Sequence, residues 1–246
     1  MKKILAMLLA LTLIFAFASC DGNGGSSYLD LSEEQYNNAK IKSEGVMTYA
    51  EYMAAGIDSD VVIEAYVQAT QSWWEDKITV YLADLDGAYF AYEMACSEQD
   101  AANLTPGTKI KVTGIKKEWG GEIEIMDCTF EFAGDADDKY VAPALNATSL
   151  LGKDSLVNYQ NQFVKFTEMT VVSYEYKNGT QGNDIYLTLS KDGANYDFCV
   201  ESYLTGPDSD VYVAVEALVA GDVINVEGFA YWYEGINTHI TKVVKK

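Results

Sequence analysis

Residues 107–125, GTKIKVTGIKKEWGGEIEI, decide the fold, because a variant of them, GDVINVEGFAYWYEGINTH, returns at residues 221–239. The two segments align without a gap at an offset of 114 residues, which places Gly107 on Gly221. In each copy an alternating strand passes through a glycine, reaches an aromatic residue, turns at another glycine and starts a second strand. Repetition at a fixed interval indicates one supersecondary unit used twice. The sequence therefore predicts two similar domains.

The remainder of each unit supplies three more strands and a helix. In the first unit Thr48 and Glu51 form a capping box that starts a short helix. Alternating apolar residues then predict strands at 61–72, 78–82 and 88–95, and a brief helix at 97–104 precedes strands four and five. Near Met126 the alternation changes phase, which predicts a β-bulge. The second unit repeats the order, with strands at 163–176, 185–189 and 194–203, a helix capped by Asp208 or Ser209, and strands four and five through Val244.

Three strands, a helix and two further strands are the order of the OB-fold, a five-stranded Greek-key barrel. Three short sequence motifs also resemble the OB-type nucleic-acid-binding domains of exported bacterial proteins. They are TYAEY at 48–52, VVIEAYVQA at 61–69 and TPGTKIKVTG at 105–114. The resemblance implies an all-β chain with short helices, built as two tandem five-stranded OB-like barrels. It also implies nucleic acid as a partner.

The first residues of the chain predict export. Lys2 and Lys3 precede an apolar run at 4–17 and small residues before Cys20, the pattern of a signal peptide. The tetrapeptide FASC at 17–20 resembles the lipobox of bacterial lipoproteins. The resemblance implies that Cys20 carries the lipid, palmitate included, and anchors the protein to a bacterial membrane, facing outward. An ordinary secretory signal with a chance cysteine is the alternative.

The predicted organisation follows from these segments. Residues 1–19 are the signal peptide and 20–45 a tether, which contains the flexible DGNGGSS stretch. The first OB-like domain is expected at 46–133, a linker at 134–146 and the second OB-like domain at 147–246.

The charge of the chain disfavours nucleic acid. There are 37 Asp and Glu against 17 lysines and no arginine, so the formal net charge is −20. Such a surface repels phosphate and lacks the guanidinium forks typical of nucleic-acid binding. A nucleic-acid site would have to use the one basic cluster, whose alternation predicts that its first two members face outward: Lys109, Lys111, Lys116 and Lys117. A solvated strand face explains the same cluster.

Aromatic residues mark the candidate binding loops. OB barrels bind ligands across strands two and three, between the loops that join strands one and two and strands four and five. In the first unit these loops carry Trp73, Trp74 and Trp119, and in the second unit the four–five loop carries Tyr231, Trp232 and Tyr233. Aromatic rings beside carboxylates suit a glycan or the surface of a partner protein. A purely structural role in the strands is the alternative.

No catalytic, metal or cofactor set is recognisable. The single histidine, His239, aligns with Ile125 on strand five, which predicts a structural role. Three linker acids lack the twelve-residue calcium pattern: Asp135, Asp137 and Asp138. Of the remaining cysteines, Cys199 has no obvious partner within its domain, whereas Cys96 and Cys128 lie on strands that meet in an OB barrel. Free buried thiols are expected, with a Cys96–Cys128 disulfide as the alternative.

Together these features predict a membrane-anchored, non-catalytic binding module. Its ligand is expected to be a glycan or a partner protein at the aromatic loops of the first barrel. Single-stranded nucleic-acid binding and a structural role in an envelope assembly are the alternatives.

Overall fold

The computed structural model describes residues 33–246. The predicted signal peptide, Cys20 and the first part of the tether lie outside the described residues. Within residues 33–246, none of the helices combines the length and the apolar character that crossing a bilayer would require.

The first unit is a closed five-stranded barrel. Its elements are α1 (Glu33–Lys40), α2 (Tyr49–Ala54), β1 (Asp60–Thr70), β2 (Lys77–Ala83), β3 (Ala88–Ala95), α3 (Glu98–Ala101), β4 (Lys109–Trp119) and β5 (Glu122–Phe132). The strand order is β1-β2-β3-β5-β4, and β4 pairs with β1 to close the barrel. Strands β3 and β5 meet in parallel at Ala91 and Ile125, and the other neighbours are antiparallel. This is the predicted OB topology.

The second unit repeats this arrangement. Its elements are β6 (Leu145–Asn146), β7 (Phe163–Tyr176), β8 (Ile185–Lys191), β9 (Ala194–Val200), α4 (Ser202–Thr205), α5 (Asp210–Glu216), β10 (Val223–Phe229) and β11 (Asn237–Lys245), with 3-10 turns at Thr148–Leu150, Asp154–Tyr159 and Lys177–Gly179. The strands follow the order β7-β8-β9-β11-β10, and β10 returns to β7. The short β6 adds to the outer side of β7 in parallel. The predicted all-β class is confirmed, and the exact domain limits, 46–133 and 147–246, stay predictions.

The repeated glycines stand where strands four and five of each barrel bend. A Cβ on Gly114 would lie 2.5 Å from the Cβ of Cys128, and one on Gly228 would overlap the carbonyl of His239. Opposite Gly114 the register of β5 slips between Met126 and Thr129, and Asp127 adopts a φ of 47°. The β-bulge predicted near Met126 is therefore confirmed.

Four buried hydrophobic clusters stabilise the described part of the chain. Each barrel has its own apolar core, and the capping box of Thr48 and Glu51 forms as predicted at the start of α2. The third cluster packs Tyr140 against Tyr66 of the first barrel. The fourth cluster is aromatic and joins the barrels, because Tyr81 and Phe90 from the first barrel pack against Phe229 from the second. This junction covers part of the surface of the first barrel and so limits where a ligand could bind.

Candidate functional site

The outer face of β2 and β3 is covered by the second barrel. Side chains alternate along these strands, so Tyr81 and Phe90 point away from the core of their own barrel. Both are nevertheless buried, and the Tyr81 ring stacks on Phe229 with 4.3 Å between ring centroids and 22° between ring planes. The ring of Tyr231 meets Phe90 edge-on at 5.5 Å. The prediction of an open groove across strands two and three of the first barrel is therefore wrong, because β10 and the residues that follow β10 cover this face.

His239 belongs to the same junction. Its Nδ1 lies 2.6 Å from the hydroxyl of Tyr81, and its ring stacks on Tyr231 at 4.2 Å. Burial lowers the pKa of His239 to about 3, so the ring is neutral at physiological pH. A neutral, hydrogen-bonded histidine between two barrels has a structural role.

The two loops expected to flank the groove hold the second barrel instead. In the β1–β2 loop, the Ser72 amide donates to the carbonyl of Tyr203 at 2.7 Å. In the β4–β5 turn, the carbonyl of Gly120 accepts from the amide of Glu234 at 2.7 Å. Both loops are therefore hydrogen-bonded to the second barrel.

The three tryptophans predicted to form one site in the first unit are not equivalent. Trp73 is half-buried against the core, and its Nε1 donates to the carbonyl of Cys96 at 2.8 Å. Trp74 and Trp119 are 67% and 62% exposed. They stand on different loops, and of the three tryptophans only Trp74 lines the cleft described below, so the structure does not gather the three rings around one groove.

The aromatic residues predicted in the second unit face the first barrel or their own core. Tyr231 lies in the junction, and Trp232 packs against the second core while its amide donates to a carboxylate oxygen of Glu122 at 2.8 Å. Tyr233 is half-exposed and lies against Gly120. Residues Tyr231 and Trp232 therefore connect the barrels.

A cleft at the boundary between the barrels contains Trp74. This inter-barrel cleft has a volume of about 380 Å³. Its aromatic walls are Trp74, Tyr92 and Tyr203, and its polar wall includes Gln71, Ser72, Glu75, Lys77, Thr79 and Glu93. Tyr203 comes from the second barrel and is 60% exposed. The volume falls within the range of small-molecule pockets, about 300–1,000 Å³, and pockets favour domain boundaries.

A tight turn presents Trp74 to the cleft. Trp74 and Lys77 exchange two backbone hydrogen bonds of 2.9 Å, and Glu75 and Asp76 between them have φ values of 47° and 61°. The indole is therefore exposed on a hydrogen-bonded turn that leads directly into β2.

The cleft carries both hydrogen-bond donors and acceptors. Lys77 and Glu93 form an exposed ion pair at 2.8 Å, which lowers the pKa of Glu93. Glu75 makes no hydrogen bond or ion pair with the described residues. Two carboxylates and one ammonium, with the amide of Gln71, suit a ligand that both donates and accepts.

Tyr92 and Tyr203 line the cleft but were not predicted from the sequence. Neither lies on a loop that OB barrels ordinarily use, and Tyr203 reaches the cleft only because Ser72 holds the start of α4. No sequence pattern around these two residues indicates that the two barrels pack against each other.

The four lysines predicted as an alternative nucleic-acid site do not form an exposed cationic surface. Lys109 is 6% exposed, donates to the carbonyl of Ile41 at 3.0 Å and pairs with Asp138 at 3.1 Å. The prediction that Lys109 faces outward is wrong, because the segment after α1 and the residues after β5 cover it.

The other three lysines are engaged as well. Lys116 is buried and donates to three carbonyls at the end of α2, those of Tyr52, Met53 and Ala55. Desolvation lowers the pKa of Lys116. Lys111 pairs with Glu131 at 3.5 Å, and Lys117 pairs with Asp58 at 2.6 Å. The four cations therefore present no continuous cationic groove.

The cysteines and acidic residues offer no metal site within residues 33–246. Cys96, Cys128 and Cys199 are free and buried, so the alternative of a Cys96–Cys128 disulfide is wrong. Burial raises the pKa of all three thiols, to about 11 for Cys96 and about 12 for Cys128. Across the described part of the chain, His, Cys, Asp and Glu form no group of three that could hold a metal ion. Asp138 instead accepts from the hydroxyl of Tyr66.

Comparison with known proteins adds little. No protein-family model matches the chain, and no curated protein sequence matches it. Among solved structures, a murine DNA-binding protein bound to double-stranded DNA is 12% identical and covers 75% of this chain and 96% of its own, with a TM-score of 0.38. The Ifi202 HINa domain in complex with double-stranded DNA is 10% identical over 76% and 99%, with a TM-score of 0.36.

A replication protein A heterotrimer bound to single-stranded DNA is 15% identical over 82% of this chain and 52% of its own, with a TM-score of 0.31. At such identities and TM-scores no binding activity transfers from these proteins. The OB assignment rests on the strand order itself.

Proposed function

We propose that this protein is a non-catalytic binding module that takes a neutral glycan in the inter-barrel cleft. One observation carries the proposal: two exposed aromatic rings, Trp74 and Tyr203, come from different barrels and line one cleft. A pyranose ring has an apolar face of C–H groups that packs well on an aromatic ring, while its edge is polar. The cleft offers such rings on its walls.

The polar wall of the cleft supports the same ligand class. Sugar hydroxyls donate and accept hydrogen bonds, and Gln71, Lys77 and Glu75 together provide partners for both roles. A phosphate would instead meet the carboxylates of Glu75 and Glu93, with one ammonium already paired. The cleft therefore suits a neutral ligand better than an anionic one.

Replacing Trp74 by alanine tests this proposal. We expect Trp74→Ala to weaken glycan binding at least about tenfold, because the variant loses the stacking surface without touching either core. Isothermal titration calorimetry with maltohexaose, cellohexaose and chitohexaose measures the affinity without using tryptophan as the reporter. Trp119→Ala is the matched control, since it removes an equally exposed indole from the other loop and should leave affinity unchanged.

Other outcomes of the titration identify the alternatives. Binding that is lost in Trp119→Ala and retained in Trp74→Ala would place the site at the β4–β5 turn. A single-stranded oligonucleotide that binds at low salt and weakens steeply as salt rises would support the nucleic-acid alternative. A protein that binds none of these probes would fit a protein-binding or structural role in an envelope assembly.

We also propose that the protein is exported and held at a bacterial membrane through Cys20, on the strength of the signal-peptide pattern and the FASC tetrapeptide. Two or more acyl chains anchor a protein firmly, at about 0.8 kcal/mol for each buried methylene. We expect Cys20→Ala to abolish incorporation of labelled palmitate and to move the protein out of the membrane fraction. Cys96→Ala, which alters a buried thiol, should retain the label.

A further inference from the structure

We propose that Glu122 makes the junction between the two barrels responsive to pH, so that the barrels hold together more firmly when its carboxyl is neutral than when it is ionised. The proposal concerns the polar part of the junction, where the β4–β5 turn of the first barrel meets the second. It is independent of the ligand in the cleft.

The polar junction is a set of cross-barrel hydrogen bonds around the start of β5. Gln160 donates to the carbonyl of Gly121 at 2.6 Å and accepts from the amide of Ile123 at 3.2 Å. Asn161 donates to a carboxylate oxygen of Glu122, and the other oxygen accepts from the amide of Trp232. Glu122 therefore bonds to two segments of the second barrel that flank β7 and β10.

Glu122 is sealed from water and has no counter-ion. Its exposure is 0%, and no lysine among the described residues forms an ion pair with it. Its strand neighbour Glu124, two residues on and on the same face, is also buried without an ion pair. A carboxylate buried without a cation is unfavourable, and a second carboxylate beside it adds repulsion.

The other groups around Glu122 do not stabilise a negative charge. The titratable side chains within electrostatic reach, element by element, are Glu124 on β5, Tyr81 on β2, Tyr49 and Tyr52 on α2, and Tyr231 after β10. These tyrosines are neutral, and their own pKa values are raised by burial. Only the bonds from Asn161 and Trp232 favour the carboxylate.

The direction of the pH effect follows from this balance. Desolvation raises the pKa of Glu122 to about 8, against the ordinary value of 4.5 that water would restore in an opened junction. The stabilisation by the neutral form is complete below pH 4.5 and is lost as pH rises to about 8. Opening of the junction should therefore become easier by up to tenfold per pH unit across this interval and level off above it. Glu124, whose pKa burial raises to about 7, adds to the same trend.

Hydrogen exchange of the junction amides tests the proposal. We would follow the amides of Ile123, Trp232 and Glu234 in the full chain from about pH 5.5 to about pH 8.5, corrected for the intrinsic pH dependence of exchange. The wild-type protein should lose protection at these amides as pH rises. Glu122→Gln, which carries no titrating group there, should lose at least about tenfold less over the same interval. Glu118→Gln, an exposed change on the same hairpin, should behave as wild type.

The decisive quantity is the slope with pH rather than the stability at one pH. Equal slopes in the wild-type protein and Glu122→Gln would overturn the proposal and leave Glu122 with a purely structural role. A second variant keeps the test sharp if Glu122→Gln does not fold. Asn161→Ala removes a bond that favours the carboxylate, so the pH at which opening levels off should move upward. A uniform loss of protection at every pH would count against the proposal.

Discussion

Gly228→Ala is expected to destabilise the protein by about 3 kcal/mol or more. The added methyl group would overlap the carbonyl oxygen and carbon of His239 and the Cα of Ile240, all of them backbone atoms of β11. These residues are paired with β10 at Gly228 and Phe229, so the strands cannot separate without breaking ladder hydrogen bonds. Urea denaturation followed by circular dichroism measures the loss as a lower midpoint with an unchanged slope.

Gly56→Ala is the control for this substitution. Gly56 is exposed and an added Cβ there meets nothing within 4 Å, so its effect should stay within about 0.5 kcal/mol. A Gly228→Ala variant as stable as Gly56→Ala would mean that β10 and β11 do not approach as described. It would also remove the physical reason for the repeated glycine in both barrels.

The second large effect is expected at Tyr81, where alanine should cost about 4 kcal/mol. The Tyr81 ring is fully buried between the barrels, stacks on Phe229 and contacts Phe90 with 5.0 Å between ring centroids. Its loss opens a cavity in the junction and leaves His239 without its hydrogen-bond partner. Thermal denaturation would measure the destabilisation, and exchange at the junction amides would show whether the barrels part first.

Two further variants separate the contributions of Tyr81. Tyr81→Phe keeps the ring and removes the hydroxyl, so its cost should be about 1–3 kcal/mol, the penalty for an unpaired buried group. Tyr186→Ala truncates a partly exposed tyrosine on β8 and should cost less than either change. If Tyr81→Ala were no worse than Tyr186→Ala, the aromatic junction would contribute little to holding the barrels together.

Much of the fold could be predicted from the sequence, because the patterns that indicate it lie within single strands and turns. The offset repeat placed Gly114 and Gly228 on equivalent strands, and apolar alternation gave the order of strands and the bulge beside Met126. These features depend on one strand and its neighbours. The direction of Lys109 did not follow from alternation, because distant segments at Ile41 and Asp138 fold over it.

Only part of the candidate site could be predicted from the sequence. Trp74 could be selected as an exposed loop aromatic, and the structure leaves it exposed in a cleft. Tyr203 could not be selected, because its position depends on contacts between residues 131 positions apart in the chain, Ser72 and Tyr203. The same docking converted Tyr231 and Trp232 from candidate ligand contacts into junction residues. A single-domain rule for OB barrels contains no information about a second barrel.

The covered face of the first barrel has a consequence for competition. For that face, the second barrel behaves as a ligand that never diffuses away, and a tethered ligand acts at an effective concentration of about millimolar or more. Another molecule that recognised Tyr81 and Phe90 would have to displace the second barrel before binding. Its apparent affinity would be reduced to the fraction of molecules in which this face is open. New specificity can therefore arise at the rim, around Trp74 and Tyr203, far more readily than on the face that isolated OB barrels present.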